Sequence, residues 1–95
     1  MQNDDARIVH GTIVTQPVFN YRDEKGKGYF VLPFISCDPT TGHRALILLV
    51  PQYMVWSQPK VFEPGQSVKL RGIVDETGKR LLVSDAWIAP ETAVA

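Results

Sequence analysis

The chain has 95 residues and a mass of 10.6 kDa, which is enough for one domain. Ten Lys and Arg stand against ten Asp and Glu, with 44% hydrophobic and 21% charged residues. This balance excludes a basic tail, a histone-like coat for duplex DNA and an acidic disordered segment, and it describes an ordinary globular domain. Such a small domain buries only about 60–65% of its unfolded surface, so little core is left over for an elaborate active site. The start, Met1-Gln2-Asn3-Asp4-Asp5, is acidic and polar, the opposite of a secretory signal. The longest apolar run, Ala45 to Val50, is far short of the roughly 18 residues of a membrane helix, so no membrane association is expected. Cys37 is the single cysteine, which rules out an internal disulfide and points to a reducing, cytoplasmic setting. It is expected as a half-buried small residue at a strand end.

In chain order, residues 1–6 are expected to be a flexible end. Arg7 to Val14 is β-branched almost throughout and predicts a strand, with Gly11 marking a bulge or a barrel corner. Pro17 interrupts it before Phe19. Asn20 to Gly28, rich in glycine and charge, predicts a hairpin loop. Tyr29 to Ser36 predicts a second strand, with Phe30, Leu32 and Phe34 on one face and Tyr29, Val31 and Ile35 on the other. Asp38-Pro39-Thr40-Thr41-Gly42 has turn composition. Arg44 to Val50 is nearly all apolar and predicts a central third strand. Prolines 51, 59 and 64 then bracket Gln52 to Gln58, leaving room for two helical turns at most or an irregular apolar connector. After the turn Glu63-Pro64-Gly65-Gln66, a fourth strand sets Val68, Leu70 and Val74 against Lys69, Arg71 and Ile73 around Gly72. Asp75 to Lys79 is a hairpin turn, and Leu81 to Ile88 a fifth strand with two competing apolar faces: Leu82, Ala86 and Ile88, or Leu81, Val83 and Trp87. Residues 90–95 follow a proline as a second flexible end. Five short strands best solve the edge problem by curling into a small barrel spanning residues 7–88.

This order resembles an oligonucleotide/oligosaccharide-binding (OB) domain of the single-stranded nucleic-acid-binding type. The resemblance rests on Val9-His10-Gly11-Thr12-Ile13-Val14 and on Phe62-Glu63-Pro64-Gly65-Gln66 followed by Val68-Lys69-Leu70-Arg71-Gly72-Ile73-Val74. It implies an all-β, five-stranded Greek-key barrel with a short helix or irregular connector between its third and fourth strands. It further implies ligand binding on the face of the second and third strands, flanked by the loops joining strands one to two and four to five.

No assembled catalytic site is legible, and no cofactor is implied. Cys37, Asp38 and His43 are the best offer of metal ligands, and nothing completes the set. No nucleophile motif surrounds Ser36, Ser57, Ser67 or Ser84, with His10 and His43 as the only bases of that kind. The acid pairs Asp23-Glu24 and Asp75-Glu76 fall in predicted turns, where carboxylates are solvated. Lys25-Gly26-Lys27-Gly28 lacks the strand-to-helix context of a phosphate loop.

The better reading is binding without catalysis. Single strands are held by aromatic stacking on bases and by cations on the backbone. Tyr21 and Tyr29, with Phe19 beside them, supply rings, and Arg22, Lys25, Lys27, Arg44, Lys69, Arg71, Lys79 and Arg80 supply charge. The ligand expected is single-stranded DNA ahead of RNA, with a homodimer extending the short track of one barrel and an accessory role in DNA replication or repair. Trp56 and Trp87 are expected to pack in the core or against the connector. The rival reading is a small subunit or adaptor whose apolar segment Tyr53-Met54-Val55-Trp56 docks a protein partner or a second copy. Residues 20–80 hold nine Lys and Arg against six Asp and Glu, so a mildly basic body sits between acidic ends.

Overall fold

In the computed structural model residues 6–17, 19–38 and 42–89 are described, without the side chains of Phe19 and Asp38. The predicted free ends, apart from Ala6, and the middle of the Asp38–Gly42 turn lie outside the described residues. The chain forms β1 (Ala6–Ile13), β2 (Phe19–Arg22), β3 (Gly28–Asp38), β4 (Gly42–Pro51), α1 (Gln52–Ser57), β5 (Ser67–Val74) and β6 (Arg80–Ile88).

The strands lie in the order β1-β5-β6-β4-β3-β2, and a further β1–β3 pairing closes five of them into a ring, with β2 outside it on the edge of β3. β1 runs antiparallel to β5 from Ala6 to Thr12, while its last residues, Gly11 to Ile13, pair with Phe34 to Ser36 of β3. The residue at this crossing has to be glycine, because a Cβ on Gly11 would lie 2.1 Å from the Ile35 carbonyl oxygen. β4 and β6 meet in parallel at Ile47–Leu49 and Arg80–Leu82, and the other pairings are antiparallel. A five-stranded ring with α1 between β4 and β5 is an all-β, OB-like barrel, as the resemblance implied.

Alternation fills the barrel. Leu32 and Phe34 from β3, Leu48 and Val50 from β4, Val68 and Leu70 from β5, and Leu81 and Val83 from β6 are buried with Ile13 of β1. The stretch between β4 and β5 resolves as a six-residue helix without a side-chain cap. It is too short to stand on propensity and is held by burying Met54 and Val55, with Val61 and Phe62 of the next turn beside them.

Four expectations need correction. Asn20 to Gly28 is not one loop: Phe19–Arg22 pairs with Gly28–Val31 as an extra strand, and the loop shrinks to Asp23–Lys27. Neither predicted face of the last strand wins, because Ser84 is a bulge. Arg71 pairs with Asp85 and Gly72 with Val83, so Leu81 and Val83 point inward before it and Ala86 after it. The same bulge turns Trp87 outward, to 44% exposure, while Trp56 on α1 reaches 68%, so neither tryptophan is a core residue. Cys37, at the end of β3, is exposed rather than half-buried.

Candidate nucleic-acid interface

The β2–β3 hairpin is built around Asp23. Its Oδ1 accepts the backbone N–H groups of Lys25 at 2.9 Å and Lys27 at 2.8 Å, and its backbone N–H donates to the Lys27 carbonyl at 3.0 Å. Gly26 takes the left-handed conformation that closes the turn, with φ 82°. Arg22 reaches across the loop, its Nη1 donating to the Gly26 carbonyl at 2.7 Å. The Tyr29 hydroxyl donates to Asp23 Oδ2 at 3.4 Å. The bond from the Lys27 amide, followed by those from the Lys25 amide and the Tyr29 hydroxyl, holds the Asp23 carboxyl below its ordinary range against an opposing effect of burial. Burial first, and Asp23 second, push the Tyr29 phenol up, so it remains a neutral donor.

A lowered folded-state pKa stabilises the turn fully above the unfolded carboxylate value and loses that contribution as pH falls through the folded one. Amide exchange at Lys25 and Lys27 is therefore expected to quicken, relative to the barrel strands, once pH drops below about 4. An Asp23→Ala chain should show the same fast exchange already at neutral pH.

The rings lie on one face of this hairpin. Tyr21 and Tyr29 are cross-strand partners with centroids 6.0 Å apart and a 38° tilt, and the Lys27 Nζ sits 5.7 Å from the Tyr29 centroid. Their exposures assign different roles: Tyr21 is 44% exposed and Tyr29 only 7%. Tyr29 is thus the support on which Tyr21 rests, and the free ring face belongs to Tyr21. Phe19 starts β2, and its side chain lies outside the described residues.

The hairpin borders the outward face of β3 and β4. There Val31, Pro33, Ile35 and Cys37 stand opposite Leu49, Ile47, Ala45 and His43, a floor of aliphatic groups ending in a thiol and an imidazole. The β5–β6 turn flanks it. The Ile47 N–H donates to the Lys79 carbonyl at 2.8 Å, and Arg80 is the register partner of Ile47, so both cations lie at the edge of the floor. Asp75 organises this turn through Thr77, whose hydroxyl donates to it at 2.7 Å, and pairs with Arg80 at 3.4 Å. The Thr77 hydroxyl is also the main cause of the lowered Asp75 pKa.

Of the ten residues expected at the site, Tyr21, Arg22, Lys25, Lys27 and Tyr29 come together on the hairpin, with Lys79 and Arg80 across the floor. Three do not join them. Arg44 shares the face of β4 that turns inward at Leu46 and Leu48, at the far end from the hairpin. Lys69 and Arg71 lie on the outward face of β5, which β6 separates from β4. There Lys69 Nζ is 5.9 Å from the centroid of Trp87, an exposed ring that was expected in the core or against the connector. A signal for it existed in the two competing faces of Leu81–Ile88, which a bulge reconciles.

Among the described residues no three of His, Cys, Asp and Glu gather to hold a metal ion, and no helix is long and apolar enough to cross a membrane. The Ser36, Ser57 and Ser84 hydroxyls donate to the main-chain carbonyls of Arg44, Met54 and Arg71 rather than to a histidine.

The molecule is thus an OB-like barrel with an aromatic, cationic hairpin at the edge of its β3–β4 face. Among solved structures, the dimeric N-terminal domain of PriB protein from Thermoanaerobacter tencongensis is similar, with a TM-score of 0.69 over 92% of this chain and 98% of that one. Sequence identity is 16%, so this likeness speaks for the fold. No protein-family model and no curated protein matches the sequence.

Proposed function

We propose that this chain is a non-enzymatic OB module that binds single-stranded nucleic acid, DNA in preference to RNA, serving DNA replication or repair as a cytoplasmic accessory. The observation that carries the reading is the hairpin: an exposed Tyr21 ring resting on a buried Tyr29, with Arg22, Lys25 and Lys27 around it. Bases stack on such a ring whatever their identity, and phosphates meet the flanking cations, so binding tolerates most sequences. The aliphatic floor adds apolar contact with bases, while Lys79 and Arg80 hold the backbone along its other border. Zero net charge keeps the affinity modest and salt-sensitive. The test is a fluorescence-anisotropy titration with labelled thymidine and uridine oligomers and a duplex of equal length, at low and high salt. Binding of single strands at low salt, thymidine ahead of uridine and both ahead of duplex, supports the reading. No binding at low salt with protein in the tens of micromolar overturns it.

One observation favours a protein partner in addition. Tyr53 and Trp56 lie on the same side of α1 and are 61% and 68% exposed, with Trp56 supported edge-on by Phe30 at 6.4 Å. An uncovered aromatic pair on a six-residue helix fits a docking surface for a second copy, and the dimeric state of the PriB domain fits the same reading. Sedimentation velocity should then show a dimer that Trp56→Ala shifts to monomer. An unchanged distribution in the variant removes α1 from the interface.

A further inference from the structure

The geometry points to a second single-strand-binding surface on the outward face of β1, β5 and β6, centred on Trp87 and Lys69 and joined to the β3–β4 face by a groove beside Gly11. This rests on the proposed binding of single-stranded nucleic acid and extends it to a part of the barrel that the hairpin does not reach.

Three observations carry it. The first is Trp87 itself. The Ser84 bulge places this ring on the solvent side, although its neighbour Ala86 is buried, so the largest side chain of β6 stays available to a ligand. The second is its company. In the row His10–Lys69–Trp87 a cation lies 5.9 Å from the indole centroid, and Arg71 follows two residues along β5. An exposed ring flanked by cations is what a stacked base and its neighbouring phosphates require. The third is the groove. An open depression of about 340 Å³ is lined by Ile35, Cys37 and His43 from the β3–β4 side and by His10, Thr12 and Ser67 from the β1–β5 side. It crosses the place where β1 passes from β3 to β5, so it connects the two outward faces across the seam of the barrel. Its imidazoles and hydroxyls offer hydrogen-bonding groups to a sugar-phosphate chain on the way.

A ligand following this route has to turn around a small barrel. Duplex DNA, with a persistence length of about 50 nm, does not bend on that scale without large cost, whereas a single strand does. The surface therefore selects for single strands long enough to pass the seam. Short oligomers occupy the hairpin and the β3–β4 face alone.

The experiment uses the full chain carrying Trp56→Phe, which leaves Trp87 as the only tryptophan. Labelled thymidine oligomers of about 5 and about 15 nucleotides bracket the site sizes of one OB barrel. Label anisotropy and tryptophan emission are followed in the same titration. The longer oligomer is expected to quench Trp87 emission and the shorter one to leave it unchanged. Trp87→Ala and Lys69→Ala are each expected to weaken the longer oligomer roughly fivefold or more, with no change for the shorter one. Binding of the longer oligomer with unchanged Trp87 emission, and with parental affinity in Trp87→Ala, overturns the second surface while leaving the hairpin reading intact. Quenching that persists in Tyr21→Ala at parental affinity supports the Trp87 surface and removes the hairpin instead. No binding of either oligomer to the parent chain overturns both.

Discussion

Gly11→Ala is expected to cost the fold roughly 3 kcal/mol or more. The new Cβ would meet the Ile35 carbonyl oxygen at 2.1 Å, Phe34 Cζ at 2.7 Å and Ser36 Cα at 2.8 Å. Two of these are backbone atoms of β3, and the third is the end of a ring that is itself fully buried in the core. Relief therefore requires β1 to move away from β3, which opens the ring at its seam. Single domains are stable by about 5–15 kcal/mol, and in one of this size each kcal/mol corresponds to about 4–8 °C in Tm. A fall of more than about 12 °C by circular dichroism is thus expected. Gly26→Ala is the control. Nothing lies within 4 Å of its Cβ, and only the positive φ of 82° opposes it, so a loss of about 1–2 kcal/mol is expected. Equal melting temperatures for the two variants would contradict the closed-barrel account.

Tyr21→Ala is expected to have the largest effect on binding with little effect on stability. The ring is nearly half exposed, so its removal uncovers Tyr29 without opening the core. One lost stack is worth about 1–3 kcal/mol, which corresponds to a roughly 5- to 150-fold weaker single-strand complex. Lys25→Ala and Lys27→Ala act differently. Each removes a cation, so each should lower the slope of log affinity against log salt by about 0.7 for a single strand, with a smaller loss at moderate salt. Tyr29→Ala is the contrasting case: it removes a buried ring and the hydroxyl bonded to Asp23, and it should loosen the hairpin itself. Parental affinity in Tyr21→Ala would show that the hairpin is not the stacking platform.

Most of the barrel was legible because β-strand alternation is strong where one face is packed. Val68, Leu70 and Val74 set against Lys69, Arg71 and Ile73 predicted β5 on both faces, and the run from Arg44 to Val50 predicted a strand with neighbours on each side. What escaped depends on pairing rather than on composition. β2 is four residues long and polar at Asn20 and Arg22, and it exists because β3 extends far enough to pair with it. The bulge at Ser84 is a property of the β5–β6 register, and it alone decides that Ala86 is buried and Trp87 is not. Six cations of the candidate site lie in loops or at strand ends, and five of them, Arg22, Lys25, Lys27, Lys79 and Arg80, lie around the β3–β4 floor. Lys69 and Arg71 share an outward face as expected, but the strand order puts β6 between them and the hairpin. That separation makes Trp87 their neighbour in place of Tyr21.

In the proposed function the β2–β3 hairpin and the β3–β4 face receive a single strand. Amide chemical shifts of the isotopically labelled chain, followed during addition of a thymidine oligomer at low salt, test it most directly. The largest changes are expected at residues 20–29, with further changes at Ile35, Ile47, Lys79 and Arg80. Changes confined to Tyr53–Trp56, or none at all, would contradict it.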